Sequence, residues 1–425
     1  MLKTQIPSTE FSIKILIISS IGALFECYDF MICAFLSTFL TKLFYPENQL
    51  LGIFTIFTIG FFSRPIGGMF WGHIGDRHGR KKVFSLTMIL LALPTLLIAF
   101  FPLQWFSIKV AGISFAILRF FQGFLVGGEF PGGVTFIAEV SKDRNRGLFI
   151  ALFMAFLTGG TLLASLVSLI LTAYLTSDEI LAWGWRLPFI LSIILIMVSI
   201  YIRNKVNESS FFLALQKRKE ISKIPLIQLI THYPWTICHG ILLTCSSACG
   251  IVTLYTFLPQ LIGAKQIFSP QKILQTTTAS LIILSVMMPI FGHLADKYGR
   301  KITFIAGMIG INICWSLVFI GVNANNYNLL FGGMLCTSLL FAATNATYCV
   351  ILSEMFPTVI RYSGIALCYT LAYSLCGGLL PLLYTKVAYF SNILTLPWIL
   401  FGCCLLSNLL IIPRIKNRHQ QKLTP

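Results

Sequence analysis

The chain has 425 residues, of which 56% are hydrophobic and only 11% are charged, and its mean hydropathy is +0.84. These values exclude a water-soluble fold, because soluble domains carry about 25% charged residues. The net charge of +17 does not indicate a nucleic-acid surface, since the basic residues form short clusters between apolar runs. The cysteines lie in or beside apolar runs without a Cys-x-x-Cys pair, so we interpret them as core residues and expect no metal site.

Apolar runs long enough for a membrane helix, about 20 residues each, follow one another along the chain. The first run is too long for a signal peptide and carries acids in its middle, so we expect it to be retained. Six runs precede a polar stretch at 204–223 and six follow it: 13–40, 49–74, 83–102, 109–138, 148–175 and 183–203, then 234–262, 273–294, 302–322, 327–352, 362–385 and 393–412.

The runs predict an all-α membrane protein with about twelve transmembrane helices in two six-helix bundles. We expect residues 1–203 to form the N-terminal bundle, residues 204–233 a cytoplasmic linker, and residues 234–425 the C-terminal bundle with a short cytoplasmic tail. If the N-terminus is cytoplasmic, the inner loops hold far more Lys and Arg than the outer loops. The positive-inside rule therefore predicts that both termini are cytoplasmic.

Two stretches of sequence repeat between the halves. Residues 72–81, Gly-His-Ile-Gly-Asp-Arg-His-Gly-Arg-Lys, recur at 292–301 as Gly-His-Leu-Ala-Asp-Lys-Tyr-Gly-Arg-Lys, each time between the second and third predicted helices of a half. A second repeat places an acid seven residues before an arginine after each fourth helix: Glu139 and Arg146, then Glu354 and Arg361. Matches at corresponding positions predict that the two bundles are pseudo-symmetric.

The repeated loop resembles that of the major facilitator superfamily, which has the form Gly-x-x-x-Asp-Arg-x-Gly-Arg-Lys. Within that superfamily the chain resembles the metabolite:proton symporter branch, which includes proline/betaine, 2-oxoglutarate, citrate and shikimate carriers. The stretches that carry this resemblance are Glu26-Cys27-Tyr28-Asp29-Phe30, Arg64-Pro65-Ile66-Gly67-Gly68, Arg119-Phe120-Phe121-Gln122-Gly123, Gly127-Gly128-Glu129, residues 183–189 and residues 356–364. The resemblance implies the major facilitator fold, symport of a small metabolite and a location in the bacterial inner (plasma) membrane.

Three acids and two arginines lie deep in the predicted spans, all of them in the N-terminal half: Glu26, Asp29, Glu129, Arg64 and Arg119. A charge inside the hydrocarbon layer costs about 2.5 to 3.5 kcal/mol on insertion scales, so each is a functional candidate. Their depths suggest two layers. We expect Asp29 or Glu26 near Arg119 on the outer side of centre, and Glu129 near Arg64 on the inner side.

The three acids are the candidates for proton coupling. One acid exceeds the number of arginines, and burial favours the protonated form of a carboxyl group that no cation balances. Glu26 and Asp29, at positions i and i+3, share a helical face and are close enough to titrate together. We expect the proton on this pair without choosing between its members. The alternative is that these ion pairs only hold helices together.

Substrate contacts are expected from both halves. The C-terminal half has no deep acid, so it should supply neutral groups, for which the candidates are Tyr255, Gln260, Asn345, Tyr369 and Tyr373. From the motifs of the N-terminal half we add Tyr28, Arg64, Arg119 and Gln122. The alternative for each is that aromatic and amide side chains within spans only bridge helices. Helix 4 also carries glycines four residues apart, at 123 and 127 and at 128 and 132, which indicates close helix packing.

The inner loops carry acids as well as cations, and in the resembling superfamily such residues look like a cytoplasmic gate. The gate candidates are Asp76, Arg77, Arg80, Glu139, Arg146, Asp296, Arg300, Glu354 and Arg361. The positive-inside rule alone would explain the cations but would leave the acids unexplained.

The function predicted from these features is proton-coupled symport of a small hydrophilic metabolite, either a proline/betaine-type osmolyte or an organic acid, by alternating access. A passive uniporter of the same fold and a membrane sensor that binds without transporting are the alternatives. An integral membrane enzyme is disfavoured because the histidines are scattered. We expect a functional monomer with substrate, protons and the lipid bilayer as partners, and neither a cofactor nor nucleic acid.

Overall fold

The structure is a computed structural model that describes residues 9–47, 52, 55–203, 225–264, 266–379 and 413. These residues form helices and connecting turns, and no strand occurs among them. In chain order the α-helices are α1 (Thr9–Phe35), α2 (Ser37–Phe44), α3 (Gly60–His78), α4 (Arg80–Ala99), α5 (Ile108–Val140), α6 (Arg146–Tyr174), α7 (Ser177–Ala182), α8 (Leu187–Arg203), α9 (Pro225–His232), α10 (Pro234–Val252), α11 (Leu258–Ala264), α12 (Pro270–Tyr298), α13 (Arg300–Asn323), α14 (Tyr327–Met355) and α15 (Arg361–Ser374).

Several helices begin where a polar side chain can accept a hydrogen bond from the first turn. Ser107 caps α5 by accepting from the backbone N–H of Val110, and Ser269 caps α12 in the same way. Asn326 caps α14. Such caps satisfy backbone donors that have no partner within the helix.

Helical segments with other hydrogen-bond spacings adjoin three of the spans. The π-helices Thr55–Ile59, Thr253–Phe257 and Leu375–Leu379 precede α3, separate α10 from α11 and follow α15. Single 3₁₀ turns occur at Leu103–Trp105, Asp143–Asn145, Gly184–Arg186 and Thr358–Ile360. π-Helical segments are rare and frequently mark functional regions of a helix.

The predicted spans coincide with helices wherever the structure describes them. Among the described residues seven helices are long and apolar enough to cross a membrane, or eight if α1 and α2, bent by 65°, form one span. The second predicted span corresponds to the more polar α3, while Ser85–Ala99 and Gly184–Val198 are shorter apolar helices in the third and sixth spans. The twelfth span, at 393–412, and most of the predicted tail lie outside the described residues.

The two halves meet through corresponding helices. In the N-terminal half α1 packs on α6 and α3 packs on α5, and in the C-terminal half α13 packs on α14. Between the halves α6 packs on α12 and α3 packs on α15. Each contact joins the fifth predicted span of one half to the second span of the other, which is the arrangement that a pseudo-two-fold axis produces.

The predicted linker, 204–233, contains a short helix in the part that the structure describes. Helix α9 (Pro225–His232) buries Leu229 and contacts α3 of the N-terminal half and α15 of the C-terminal half. Residues 204–224 lie outside the described residues. The described end of the linker is therefore a helix that touches both halves.

The glycines of α5 allow α3 to approach very closely. A Cβ atom added to Gly123 would lie 2.0 Å from the carbonyl oxygen of Gly60, and one added to Gly127 would lie 2.3 Å from the carbonyl oxygen of Arg64. Gly67 of α3 faces α5 in the same way, 1.8 Å from the carbonyl oxygen of Phe124. These contacts confirm the interpretation of the glycine spacing as close helix packing.

Candidate functional site

A cavity of about 70 Å³ lies between the two halves. The N-terminal half contributes Glu26, Cys27, Phe30, Met31, Phe61, Arg64, Val126, Phe130, Met154, Leu157, Thr158 and Thr161, and the C-terminal half contributes Ile251, Val252, Thr256, Asn345, Tyr369 and Tyr373. Among these residues Glu26 is the one acid and Arg64 the one base, so both ionic groups come from the N-terminal half.

Arg64 lies in α3 and is 5% exposed. The Cζ atom of its guanidinium lies 4.0 Å from the ring centroid of Phe30 and 4.4 Å from that of Phe61. Its Nε is buried and donates no hydrogen bond to any residue that the structure describes. Glu26 interacts with it electrostatically. The guanidinium therefore packs against aromatic rings, and its Nε has no acceptor among the described residues.

Among the described residues, the C-terminal wall of the cavity is neutral and partly aromatic. The ring of Tyr369 stacks on Phe130 at a centroid distance of 3.9 Å and lies 4.4 Å from the ring of Tyr373. The amide of Asn345 is fixed at both ends, since its Oδ1 accepts from the Ser247 hydroxyl at 2.7 Å and its Nδ2 donates to the carbonyl of Phe341. The structure thus brings Asn345, Tyr369 and Tyr373, three of the predicted substrate contacts, to one cavity.

Asp29 lies apart from the cavity, inside the N-terminal bundle, and is fully buried. The Thr95 hydroxyl donates to its two carboxylate oxygens at 2.9 and 2.8 Å, and the Ser192 hydroxyl donates to Oδ1. Gln122 donates to Oδ2 at 3.2 Å. Asp29 therefore joins α1 to α4, α5 and α8.

Arg119 belongs to the same network. Its Nη1 donates to Oε1 of Gln122 at 3.0 Å, so Gln122 bridges it to Asp29. Its Nε and Nη2 donate to the carbonyl of Ile56 at 3.3 and 2.8 Å. Unlike the Nε of Arg64, the Nε of Arg119 therefore has an acceptor within the protein.

The structure describes the neighbours of the arginines in the two expected layers. Arg119 does approach an acid of α1, but through Gln122 instead of by direct contact. Arg64 shares the cavity with Glu26, while Glu129, although fully buried, is not among the described residues that line it. Three residues advance a helix by almost one turn, so Glu26 and Asp29 lie on similar faces but at different heights along α1. They therefore meet different neighbours.

Several other predicted contacts lie elsewhere. The Tyr28 hydroxyl donates to the carbonyl of Pro188 at 2.9 Å, and the Tyr255 hydroxyl pairs with that of Ser338 at 2.6 Å. Neither is among the described residues that line the cavity, and the same holds for Arg119 and Gln122. The side chain of Gln260 lies outside the described part of the chain.

At the end of the bundle that carries the repeated loops, here called the motif end, ion pairs join the halves. Arg146 donates to Glu354 at 2.8 Å, and Arg300 contacts the same carboxylate oxygen. Arg361 lies 3.4 Å from Glu139, and both side chains are fully buried. Each pair of the second repeat is therefore exchanged, with the acid of one half facing the arginine of the other.

The aspartates of the repeated loops also cross between the halves. Asp76 accepts from the backbone N–H of Ser363 at 2.9 Å and from its hydroxyl at 2.8 Å, at the start of α15. Asp296 accepts from the backbone N–H groups of Gly147 and Leu148 at 2.9 and 2.8 Å, at the start of α6. A helix N-terminus offers free N–H donors and a positive dipole end, so it suits a carboxylate.

Two predicted gate residues do not join this set. Arg77 is exposed at the surface. The side chain of Arg80 lies outside the described residues. The remaining gate candidates lie where the two halves meet. The glutamates of the second repeat and the aspartates of the repeated loops each contact the start of the fifth helix of the opposite half.

Several residues of these sites were not predicted from the sequence. Thr95 and Ser192 bind Asp29, Phe30 and Phe61 hold Arg64, and the Tyr362 hydroxyl crosses between the halves to the carbonyl of Gly128 at 2.6 Å. Single hydroxyls and aromatic rings within apolar spans are too common to stand out. Only Phe30 and Tyr362 were within stretches that carried the family resemblance.

Comparison with known proteins identifies the family. A family model described as Major Facilitator Superfamily matches residues 19–269 and 240–424. The chain belongs to the major facilitator superfamily. It is therefore an integral membrane protein of a family of transporters, with the twelve-helix architecture of two bundles that this superfamily shares.

Relatives in the superfamily are similar over most of the chain. A protein of Staphylococcus haemolyticus with the provisional name proline/betaine transporter is 33% identical over 384 residues, which is 87% of this chain and 80% of that relative. The proline/betaine transporter of Escherichia coli K12 is 28% identical over 399 residues, 90% of this chain and 79% of that protein.

Solved structures support the same fold. The proton:xylose symporter XylE bound to 6-bromo-6-deoxy-D-glucose superposes with a TM-score of 0.82 at 21% identity, covering 98% of both chains. A D-xylose-proton symporter gives a TM-score of 0.76 at 23% identity over 98% of this chain and 100% of that one. At these identities the likeness concerns the fold alone.

Proposed function

We propose that this member of the superfamily is a secondary active transporter that carries a small hydrophilic metabolite together with protons by alternating access. The observation that carries the proposal is a cavity between the halves that is lined by an acid, Glu26, and a base, Arg64. Ionisable groups are costly at this depth and mark ion or substrate pathways in membrane proteins. A site between two lobes can open to each side in turn as the lobes rock.

The motif end acts as the cytoplasmic gate in this proposal. The pairs Arg146–Glu354 and Arg361–Glu139, with the Asp76 and Asp296 contacts, close the halves together at one end. Opening that end requires these contacts to break, while the cavity between the halves becomes accessible. We infer from the positive-inside rule that this end and both termini face the cytoplasm of a bacterial inner membrane, and we expect a functional monomer.

The proton supplies sufficient driving force. One elementary charge moving through 100 mV releases about 2.3 kcal/mol, and about 1.4 kcal/mol corresponds to a tenfold concentration ratio. A single coupled proton thus supports a gradient of roughly fifty-fold. Of the three predicted proton-coupling acids, Glu26 is favoured by its place in the cavity, whereas Asp29 and Glu129 lie outside the set of residues that line it.

The relatives named as proline/betaine transporters favour a small zwitterion as the solute. An arginine and an aromatic wall in one cavity suit a molecule with a carboxylate at one end and a cationic group at the other. An organic acid is the second candidate, since Arg64 alone would also accept an anion.

Uptake into proteoliposomes tests the proposal. Purified protein is reconstituted, an inward proton gradient is imposed, and uptake of proline, betaine and organic acids is measured together with the external pH. We expect accumulation above the external concentration, alkalinisation of the medium when solute is added, and loss of both effects with a proton ionophore. Equilibration without alkalinisation would identify a uniporter, and binding without any uptake would identify a sensor.

A further inference from the structure

The two halves differ immediately after the arginine of the second repeat. Arg146 and Arg361 correspond to each other, and they begin α6 and α15. The next residue is Gly147 in the N-terminal half but Tyr362 in the C-terminal half. A buried tyrosine needs space in whatever lies opposite to it, because protein interiors are closely packed. The N-terminal half should therefore contain such a space.

The ring of Tyr362 occupies a gap between α3 and α5 of the N-terminal half. A Cβ atom added to Gly75 would lie 2.0 Å from the Cε1 atom of this ring, and one added to Gly132 would lie 2.7 Å from its hydroxyl oxygen. The hydroxyl donates to the carbonyl of Gly128 at 2.6 Å, and the tyrosine is fully buried. The gap formed by Gly75, Gly128 and Gly132 is here called the glycine socket.

The corresponding positions of the C-terminal half carry side chains. Extending the two repeats aligns Gly75 with Ala295, and it aligns Gly132 with Thr347. Gly147, which corresponds to the tyrosine, has no side chain to insert. The inserted ring is therefore confined to one of the two contacts between the halves, that of α3 and α5 with α15.

We propose that Tyr362 is a positioning residue for transport, whose ring holds the motif end closed and must leave the glycine socket before the halves separate there. The inference rests on the proposed function, in which the motif end is the cytoplasmic gate. It goes beyond the ion pairs of that gate, because the tyrosine side chain is neutral and the corresponding residue of the other half is a glycine.

Withdrawal of the ring is opposed in two ways. The carbonyl of Gly128 loses the hydrogen bond from the Tyr362 hydroxyl, and the socket loses the ring that fills it. A lost hydrogen bond and an unfilled space both destabilise the separated state. Closely packed contacts have discrete arrangements and do not deform continuously, so the ring is either inside or outside the socket.

Tyr362 lies between two residues that make charged contacts with the other half. Arg361 faces Glu139. The backbone N–H and the hydroxyl of Ser363 donate to Asp76. An ion pair, an inserted ring and a capped helix start thus follow one another within one turn of α15. Separation of the halves breaks these contacts together, so a weaker hold by Tyr362 makes the whole motif end open more often.

The alternative role for Tyr362 is local packing of α15. The two roles differ in how far the effect of a substitution reaches. A local role changes the opening of α15 and the socket alone. A residue that holds the motif end closed also changes the start of α6, which lies in the other contact between the halves.

Hydrogen exchange of the purified full chain, measured by mass spectrometry, separates these roles. Tyr362→Phe keeps the ring and removes the hydroxyl. We expect exchange to become about two- to tenfold faster at the starts of both α15 and α6, the change that one neutral hydrogen bond produces. Faster exchange at α15 alone would overturn the inference. The matched control is Tyr298→Phe, at an exposed tyrosine that ends α12, and it should exchange as the wild type.

The fit of the ring in the socket gives a second test, which uses paired substitutions. Gly132→Ala places a methyl group 2.7 Å from the Tyr362 hydroxyl oxygen, so we expect a lower melting temperature and faster exchange at both helix starts. Adding Tyr362→Phe removes that oxygen and should restore part of the lost melting temperature. Strictly additive losses would contradict the fit. Gly332→Ala, whose added Cβ meets no atom within 4 Å, should be additive with Tyr362→Phe.

Uptake into proteoliposomes connects the closed motif end to transport. Tyr362→Phe should lower the maximal rate of uphill uptake by about two- to tenfold, because the carrier spends more time open at the motif end. If the wild-type protein accumulates no solute, the proposed function fails, while hydrogen exchange still decides whether Tyr362 holds the halves together. If the wild type accumulates solute but Tyr362→Phe changes neither exchange at α6 nor uptake, the inference fails and the transporter remains.

Discussion

The motif end and the cavity are both formed by residues of the two halves, yet they differ in symmetry. At the motif end each half presents an acid to an arginine of the other, and each loop aspartate caps a helix of the other half. Among the described residues that line the cavity, both ionic groups belong to the N-terminal half, and those of the other wall are neutral. Closing two lobes is a symmetric task, whereas binding an asymmetric solute does not require the two halves to be alike.

The largest effect is expected at the motif end, where Glu354 faces Arg146 and Arg300. Glu354→Gln leaves two neighbouring guanidiniums without that carboxylate, and breaking a buried pair costs about 3 to 5 kcal/mol. We expect faster hydrogen exchange at the start of α6 and loss of uphill uptake. Exchange mass spectrometry measures the first effect. An unchanged exchange pattern would show that this contact does not hold the halves together.

The symmetry itself is tested by comparing Asp76→Asn with Asp296→Asn. Each change removes a charge from a helix N-terminus of the opposite half, and each should weaken the closed end by about 1.5 to 3 kcal/mol. We expect slower turnover with solute binding retained, and effects of similar size in both variants. A large effect at one aspartate and none at the other would mean that the two copies of the loop no longer act alike.

The asymmetric cavity depends on the close approach of α3 to α5. Gly127→Ala places a Cβ 2.3 Å from the carbonyl oxygen of Arg64, so α3 must shift and carry Arg64 with it. Overpacking of this kind costs about 1 to 3 kcal/mol. We expect a lower melting temperature and weaker solute binding. Gly332→Ala, with no atom within 4 Å of the added Cβ, is the control, and equal effects of both would separate Arg64 from this packing.

The smallest effect is expected where a predicted contact lies away from the cavity. Tyr255→Phe removes a hydrogen bond to Ser338, which contributes about 0.5 to 1.5 kcal/mol to stability, and should leave KM for solute unchanged. Tyr373→Ala removes a ring from the cavity wall and should raise KM. Uptake kinetics measure both. A raised KM in Tyr255→Phe alone would shift the substrate site toward that residue.

Much of this architecture could be predicted from the sequence because it depends on local and repeated patterns. The apolar runs determined the helices, since a span needs about 20 apolar residues whatever surrounds it. The repeats at 72–81 and 292–301 indicated two halves, and the spacing of Gly123 and Gly127 indicated a close helix contact that the structure contains. The rarity of charge inside the membrane identified Glu26, Asp29, Arg64 and Arg119 as candidates before their neighbours were known.

The partners of those charges were decided by the tertiary structure. Depth along a helix suggested Glu129 as the acid near Arg64, and the structure adds that the side chain of Arg64 lies between Phe30 and Phe61 and shares its cavity with Glu26. Asp29 and Glu26 are three positions apart in α1. The Thr95 and Ser192 hydroxyls that donate to Asp29 come from helices distant in sequence. Helical spacing gives the direction of a side chain within about a turn, whereas its partner depends on how each neighbouring helix is rotated and shifted.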